Sequence, residues 1–501
     1  MKVIEKVLNN VTMYRLVLYV LAALTVLALI FSFQGRISAS PTSLIVSLSL
    51  LVISAYGSDR AFGRLFHIPT NMESSLITAL ILFLIIDPAH TLMAGVALLL
   101  AGAISSASKF LLSLNGKHIF NPAALAAAVL SLTGLQAVTW WVGSSALWPF
   151  AFVLGLFVVL KIRRLPLLIT FAVVSIGVQL LLFVHGHQPI FTGMRHALLA
   201  SPLIFMATLM LTEPATMPPR RSLQIVFATI VALLYVSAPG RGPFIVYPEV
   251  ALLIGNVFAY AVSPKFRVRL QLKEIQQISD RVYNYIFQPE RPFKFLPGQY
   301  MEWTLAGVPY DSRGNRRTFT IASSPTESEV HLGLKYYEPA SAYKMAFFGL
   351  KQGDTIYASQ LAGDFTMKGN ENKKLAFIAG GIGITPFRSM VKCLTDKNTQ
   401  SDIILIYIVG DPKEFVYVKQ LREALPVGIK TKLVVTNLQY LSANVITAKV
   451  NAELLNKLIP DHTERTFYIS GPNVMVDATK GYLQQLHVSN NKIKTDHFSG
   501  Y

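Results

Sequence analysis

Cysteine is almost absent from this 501-residue chain. The one thiol, Cys393, excludes a disulfide framework. It also excludes an iron–sulfur cluster held by the chain's own thiolates, which needs several. Acidic residues are scarce too: 27 Asp and Glu stand against 45 Lys and Arg, a formal charge of +18. Nucleic acid would be one partner for such a balance, but the positions of the basic residues argue for another cause. Inside the apolar stretches, Asp87, Glu213 and Glu249 are the only acidic candidates, and all sit near span ends. They are too few for an ion pathway. Histidines paired across helices are missing as well: His67, His90, His118, His185, His187 and His196 fall at span ends or in loops, which disfavours haem. No metal-ligand set is expected.

Apolar residues take the place of what is lacking. With 52% hydrophobic residues and a mean hydropathy of +0.46, the chain is too apolar to be wholly soluble. Its length predicts roughly two or three domains. From Tyr14 to Val262 the apolar runs predict ten membrane spans, near 14–33, 42–56, 73–89, 92–112, 121–134, 146–161, 165–184, 198–213, 222–238 and 249–262. Several fall short of the ~20 residues that cross a bilayer. The first run follows Lys2, Lys6 and Arg15 and precedes Ser38-Ala39-Ser40, as a signal peptide would. Its apolar length and the spans after it favour a retained helix instead. Loop charge sets the orientation. With the N-terminus in the cytoplasm, the inner segments hold 15 Lys and Arg and the outer loops only Arg36, Arg195 and Arg241. The C-terminus is then cytoplasmic too, and much of the +18 is topology rather than nucleic-acid binding. A multi-pass protein of a bacterial-type cytoplasmic membrane is expected.

Motifs in this half recur at a fixed separation. Asp87-Pro88-Ala89 and Asn121-Pro122-Ala123 lie 34 residues apart, as do Glu213-Pro214-Ala215 and Tyr247-Pro248-Glu249, offset by 126. Prolines that merely cap helices are the plainer explanation. Five helices per half is odd, so a second copy must be inverted, which places a site near the repeat interface. The half resembles the D subunit of the Rnf complex and the B subunit of the sodium-translocating NADH:quinone reductase. The resemblance covers roughly 14–262 and rests on Gly116-Lys117-His118-Ile119-Phe120-Asn121-Pro122-Ala123-Ala124, on Met206-Ala207-Thr208 through Thr212-Glu213-Pro214-Ala215-Thr216, and on Tyr247-Pro248-Glu249. It implies flavins in the membrane domain, one of them FMN esterified to a threonine in a Ser/Asp-Gly-Ala-Thr motif. The matching loop, Val142-Gly143-Ser144-Ser145, lacks the first and last residues of that pattern. Only Ser145 stands where the ester would form, which argues against covalent attachment.

From Phe266 the pattern changes to period 2: Met301, Trp303 and Leu305 alternate, as do Val330, Leu332 and Leu334. Turn residues at 311–315 separate the runs. The stretch Arg316-Arg317-Thr318-Phe319-Thr320-Ile321-Ala322-Ser323-Ser324-Pro325 reads as a strand ended by a turn. Arg317, Phe319 and Ile321 point one way, and Thr318 and Thr320 the other. Paired arginines at a strand start suggest an anion, and the planar guanidinium fork suits a diphosphate. An aromatic two residues on would cover a flavin, and the next hydroxyl would donate to the ring edge. Arg317-Thr318-Phe319-Thr320 resembles the Arg-x-Tyr-Ser/Thr signature of the ferredoxin–NADP reductase superfamily, whose FAD sits on a small antiparallel barrel. Phe319 keeps the stacking face of that Tyr and loses its phenolic hydrogen bond. Pro297-Gly298-Gln299-Tyr300 is similar to the superfamily's Pro-Gly-Gln-Tyr/Phe. After Lys335, Ser341 is placed to cap a helix whose amides bind phosphate, with Glu338 where the family has a glycine. The resemblance thus implies an FAD site made of Gln299, Tyr300, Arg317, Thr318, Phe319, Thr320, Lys335, Ser341 and Ala342.

From Lys373, strands at 374–379, 403–409, 431–436 and 466–470 alternate with helical stretches near 385–396, 412–424, 446–458 and 474–486. The alternation predicts a parallel sheet with helices on both faces. The first strand runs into Gly380-Gly381-Ile382-Gly383-Ile384-Thr385-Pro386, where glycines admit a pyrophosphate to a helix N-terminus and Pro386 suits the first turn. This Gly-x-Gly-x-x-Pro resembles the nicotinamide-nucleotide loop of the same superfamily, and Ser470-Gly471-Pro472 its Cys-Gly-Pro, with Ser470 replacing the cysteine near the hydride path. Gly381, Gly383, Ile384, Thr385, Pro386, Gly471, Pro472 and Met475 complete the implied nucleotide site. Asp411, at the end of the second strand, would accept from a ribose hydroxyl and repel a 2′-phosphate, favouring NADH over NADPH, or would simply cap the next helix. The superfamily's terminal aromatic over the flavin would be Phe498 or Tyr501.

The expected fold is therefore a multi-domain membrane protein. A polytopic α-helical bundle with an inverted repeat (1–263) is followed by an antiparallel β-barrel for FAD (264–369) and an α/β nucleotide-binding domain (370–501). The expected activity is NAD(P)H-dependent reduction of FAD. Electrons then pass to FMN or another flavin in the membrane domain and on to a quinone, a flavoprotein or another extracytoplasmic acceptor, with room for other membrane subunits. Thr320, Ser470, Phe498 and Tyr501 would serve the chemistry. The rival readings are a transporter with a redox-sensing FAD/NAD(P) domain and a haem-type transmembrane ferric reductase.

Overall fold

The computed structural model describes residues 11–66, 70–114, 117–162, 164–187, 189–199, 201–236, 246–263, 267–305, 316–338, 340–370, 373–440, 443 and 445–498. The chain forms two compact units, Met1–Phe266 and Arg267–Tyr501.

The first unit is helical. Met13–Phe33, Pro41–Leu65, Leu92–Leu111 and Leu165–His185 are long and apolar enough to cross a membrane, by length and composition. Met72–Ile85, Pro122–Thr133, Trp148–Ile162, Arg221–Val236 and Pro248–Val262 are shorter apolar helices. Ser40, Thr91 and Asn121 each stand just before a helix and accept from the backbone N–H three residues on, and proline opens two of these helices. From Ala79 to Ile85 every residue is buried, which makes Met72–Ile85 an inner helix rather than an amphipathic one.

Three expectations for this unit fail. The run at 42–56 continues as helix to Leu65, because the polar residues that seemed to end it are held by neighbours. Asp59, 4% exposed, accepts from Ser75 Oγ at 2.9 Å and lies 3.7 Å from Lys109 Nζ. Asp59 thereby joins Glu249 as a buried acid, beside the half-buried Asp87 and Glu213, so the acids of this unit are not confined to those three. The run at 198–213 is not one helix. Helix Ile190–Leu199 stops before Pro202, a one-turn piece Leu203–Phe205 follows, and Met206–Met210 is wound as a π-helix. Proline lacks the donor a continuous helix needs, and Thr208 and Thr212 spend their hydroxyls on carbonyls four residues back.

The recurrent motifs meet in this unit. Glu213 Oε2 accepts from Asn121 Nδ2 and from Thr216 Oγ1, both at 2.8 Å. Asn121 N donates to Asn256 Oδ1 at 2.9 Å, and Trp140 Nε1 donates to Glu249 Oε2 at 2.9 Å. Asp87 lies past the end of its helix, where its N–H donates to Ala137 O at 2.9 Å.

The second unit contains two six-stranded sheets. The antiparallel one is built from β1 (Val268–Ser279), β2 (Val282–Pro289), β3 (Tyr300–Thr304), β4 (Arg316–Thr320), β5 (Val330–Lys335) and β6 (Thr355–Ala362), in the order β4-β3-β6-β1-β2-β5. Met301, Trp303 and Leu305 point inward, as their period of 2 requires. β5 is buried on both faces, since His331 joins Val330, Leu332 and Leu334 below 10% exposure.

The parallel sheet is built from β7 (Lys374–Gly380), β8 (Asp402–Val409), β9 (Ile429–Val435), β10 (Ile446–Thr447), β11 (Thr466–Pro472) and β12 (Ile493–Phe498), in the order β10-β9-β8-β7-β11-β12. Its inner strands β7 and β8 are apolar past their first residue because both faces are covered, whereas β9 and β12 carry polar residues. Leu375, Phe377 and Ala379 pack with Phe387 and Met390 on one face, and Ala376 and Ile378 with Val476 and Leu483 on the other. Two helical expectations shorten. The stretch 412–424 is a 3₁₀ turn, Pro412–Glu414, followed by Val418–Glu423, with Tyr417 at φ 59° between them. The stretch 446–458 opens as strand β10 and becomes helical only at Ala452, after the Asn451 cap.

Candidate functional site

Strands β3 and β4 align Tyr300 with Thr320, Met301 with Phe319 and Trp303 with Arg317. Arg317 and Phe319 lie on one side and converge on Tyr343. The Arg317 guanidinium sits 5.0 Å from the Tyr343 ring centroid, and the Phe319 ring is 6.0 Å from it. Arg317 Nη1 also donates to Arg316 O at 2.7 Å, which fixes the fork along the strand. Tyr343 is buried, its hydroxyl donates to Trp303 O at 3.1 Å, and burial pushes its phenol far above the usual range. Thr320 is buried, while Thr318 on the same side of the strand is exposed.

Ser341 caps the helix Ala342–Phe348, accepting from Lys344 N at 3.3 Å. Tyr343 belongs to the first turn, so Ser341 and Ala342 are brought beside Arg317 through it. Gln299 is turned inward: its Oε1 accepts from Leu296 N at 2.8 Å, which spends the side-chain acceptor on the Pro297-Gly298 turn. Lys335 is engaged elsewhere, 2.6 Å from Glu414 Oε1 and over the Tyr337 ring.

At the end of β7, Gly381–Ile384 forms a 3₁₀ turn that leads into the helix Thr385–Asp396, with Pro386 in its first turn. Gly381 has φ +54°, and nothing lies within 4 Å of where a side chain would begin, so this face of the loop is open. Gly383 turns the opposite way. A Cβ there would stand 2.4 Å from Ser470 O, so only glycine lets the loop close on β11. Met475, on the helix Asn473–Gln485, packs its methyl against Gly380 and Gly471. Thr385 Oγ1 donates to Ile382 O at 3.1 Å and tightens the turn. Ser470 is fully buried, and its Oγ has no hydrogen-bond partner among the described residues. A buried hydroxyl without a partner costs free energy unless a bound group supplies one. The open loop and this hydroxyl fit a nicotinamide nucleotide; the guanidinium and two rings at Arg317, Phe319 and Tyr343 fit a flavin diphosphate.

Asp411 is exposed and accepts from Lys413 N at 2.9 Å, so its carboxylate already caps the turn Pro412–Glu414. The backbone of Phe498 ends β12 opposite Pro472. Tyr501 lies outside the described residues. Tyr343 and Arg388 escaped the sequence reading. Tyr343 follows the Ser341 cap by two residues, which was a usable signal. Arg388 follows Pro386 by two and sits among the core residues Phe387 and Met390, where a charge needs a reason. In the first unit, Ser145 is exposed, while Val142 and Gly143 before it are buried and Gly143 is pressed against Ser201 O.

The Oxidoreductase NAD-binding domain family matches residues 377–481. Over 229 residues the chain is 25% identical to the glycine betaine monooxygenase reductase subunit of Pseudomonas aeruginosa, covering 42% of this chain and 59% of that one. Over 222 residues it is 27% identical to the NADH oxidoreductase HCR of Escherichia coli, covering 44% and 65%. The chain thus spans about three-fifths of the length of these relatives. The FAD/NAD-binding domain of nitric oxide dioxygenase from Vibrio cholerae is similar at 20% identity and a TM-score of 0.41, covering 46% of this chain and 98% of that one. The C-terminal unit thus contains a stretch similar to an oxidoreductase NAD-binding domain.

Proposed function

We propose that the whole chain is a membrane-bound NAD(P)H-dependent flavin reductase in three domains, 1–263, 264–369 and 370–501. It would deliver electrons from cytoplasmic nucleotide through the apolar unit to a quinone or an extracytoplasmic acceptor. The observation that carries the reading is the pairing of two sites in one compact unit: a closed glycine loop beside the unsatisfied Ser470 hydroxyl, and Arg317 with Phe319 on β4. When bound, FAD accepts a hydride from NAD(P)H and releases electrons singly. Arg317 neutralises the diphosphate, Phe319 and Tyr343 flank the cofactor, and Thr320 donates to the ring edge. Ser341 and Ala342 add polar groups beside Arg317, and Gln299 and Tyr300 hold the adjoining turn and strand. Gly381 to Pro386 receive the nucleotide phosphates, and Ser470 donates near the nicotinamide. Phe498 or Tyr501 covers the flavin until the nucleotide arrives.

The likeness of 14–262 to the Rnf and sodium-translocating reductase subunits supports the apolar unit as electron carrier, with FMN or another flavin held there without a covalent bond. The test is to purify the full chain in detergent and count flavin before and after acid precipitation. The FAD is then reduced anaerobically with NADH or NADPH and reoxidised with quinone. All flavin should be acid-soluble, with more than one equivalent per chain, and quinone should reoxidise it. Two polar clusters, Asp59 with Ser75 and Lys109, and Glu213 with Asn121 and Thr216, favour a second reading, a transporter with a redox-sensing domain. In that case FAD is reduced but nothing in the membrane reoxidises it.

A further inference from the structure

Contacts such as Lys335–Glu414 and Tyr417–Asn284 join the antiparallel and the parallel sheet, and one helix adds a further set of ties beside the nucleotide loop. Arg388 and Ser389 follow Pro386 of the nucleotide loop by two and three residues, on the helix Thr385–Asp396. Arg388, 6% exposed, donates through Nη1 to Ala322 O at 3.1 Å. Its two terminal nitrogens grip both oxygens of Glu327, with Nη2 at 2.8 Å from Oε1. Ser389 Oγ donates to Ser323 O at 2.6 Å. Ala322 and Ser323 are the second and third residues after Thr320, the end of β4. Each tie therefore joins a point just past the nucleotide loop to a point just past the flavin strand. The receiving segment is itself held, with Ile321 N donating to Gln299 O and Ala322 N to His331 O.

Stability alone does not account for this arrangement. A buried ion pair is often no better than apolar residues of the same volume. Arg388 Nε, moreover, is buried with no hydrogen-bond partner among the described residues, an added desolvation penalty. What a bidentate guanidinium does provide is fixed distance and orientation. Hydride transfer needs reacting atoms about 3–3.5 Å apart, and a misplacement of about 1 Å can lower the rate about a hundredfold.

We propose that Arg388, held by Glu327, and Ser389 are positioning residues that set the spacing between the nucleotide loop and β4, and with it the approach of nicotinamide to flavin. The proposal rests on the reading that these two elements bind NAD(P)H and FAD. The test compares Arg388→Ala, Arg388→Lys and Ser389→Ala in the full chain. It measures FAD content, the NADH dissociation constant, the long-wavelength charge-transfer absorbance on mixing, and the rate of flavin reduction.

In Arg388→Ala, FAD content and NADH affinity should stay within about threefold of wild type, while the reduction rate falls about tenfold or more and the charge-transfer absorbance falls with it. Arg388→Lys keeps the charge without the fork and should stay at least about fivefold slow. Ser389→Ala should slow reduction about two- to threefold. A folded, FAD-loaded Arg388→Ala with the wild-type rate and absorbance overturns the proposal. So does a rate loss matched by an equal loss of NADH affinity, which would make Arg388 a binding residue. If Arg388→Ala does not fold, wild-type rates in both other variants overturn it. A wild-type flavin that neither nucleotide reduces overturns the reading and the clamp together.

Discussion

In the first unit Asp59 stands 3.7 Å from Lys109 and accepts from Ser75; in the second, Arg388 grips Glu327 and the carbonyl of Ala322. Both are buried charged pairs, and they answer different needs. Were these apolar helices in a bilayer, the alternative to a partner would be hydrocarbon, and pairing would be a condition for these residues to be there at all. In the second unit the alternative is water a few ångströms away, so keeping the pair buried serves placement. Removing one partner should therefore disturb stability most in the first unit and chemistry most in the second.

The largest effect on cofactor loading should come from a charge whose partner is the cofactor. Arg317→Ala removes the guanidinium held between Tyr343 and Arg316 O, and a charge-assisted contact to a diphosphate contributes about 1.5–3 kcal/mol. FAD affinity should fall about ten- to a hundredfold, and the protein should purify without FAD. The apolar unit should melt as in wild type. Stoichiometric FAD retained through gel filtration would remove Arg317 from the site.

The largest effect on stability is the break in the first unit. Lys109→Ala leaves Asp59 buried beside Ser75 alone, and an uncompensated buried charge costs about 3–5 kcal/mol. The thermal midpoint in detergent should drop, and Asp59→Asn added to Lys109→Ala should restore most of it. A double variant no better than the single one would break the comparison, because Lys109 would then matter for its packing and not for its charge.

A smaller, pH-dependent effect belongs to the second unit. Burial first, then the Arg388 charge, holds His331 below the ordinary imidazole range, against Glu327 and against Glu329 at 3.8 Å; Asn284 faces the same ring. For Glu327, burial favours the neutral acid, but the Arg388 bonds outweigh it and hold the carboxyl low. Both groups are depressed in the folded state, so each contributes stability that is complete above its unfolded value and lost as pH falls through its folded one. The loss starts below about pH 6.5 for His331 and below about pH 4.3 for Glu327. Unfolding of the second unit should therefore become easier from pH 7 to pH 5, and His331→Gln should flatten that interval. An unchanged slope in His331→Gln would show that another group carries it.

How far each unit could be read beforehand follows the same division. β7 and its loop were legible because an apolar run followed by Gly380, Gly381, Gly383 and Pro386 carries its whole cause within thirteen residues. The helix past Tyr56 was not, since what buries Asp59 comes from Ser75 and Lys109. Nor was the tie from Arg388 to Glu327, 61 residues back. Pro202 was visible in the sequence, yet the apolar run around it outweighed it in the reading. Period and turn chemistry are local; the partner of a buried charge is not.

The smallest predicted effect tests a residue with two uses. Asp411 lies two residues past β8 at the surface, and its carboxylate accepts from Lys413 N, a cap contributing about 1 kcal/mol. Asp411→Ala would remove the cap and the charge together, and any change in nucleotide preference would be uninterpretable. Serine also caps well, so Asp411→Ser keeps the turn Pro412–Glu414 and removes only the charge. A carboxylate near a ribose phosphate at the surface repels it by about 1 kcal/mol, which corresponds to about fivefold in affinity. Asp411→Ser should therefore shift the ratio of kcat/KM for NADH over NADPH about three- to tenfold toward NADPH, with little change in thermal midpoint. Raised salt should shrink the difference between variant and wild type, because an exposed charge is screened within about 10 Å at 0.1 M. An unchanged ratio at low salt would leave Asp411 as a cap alone.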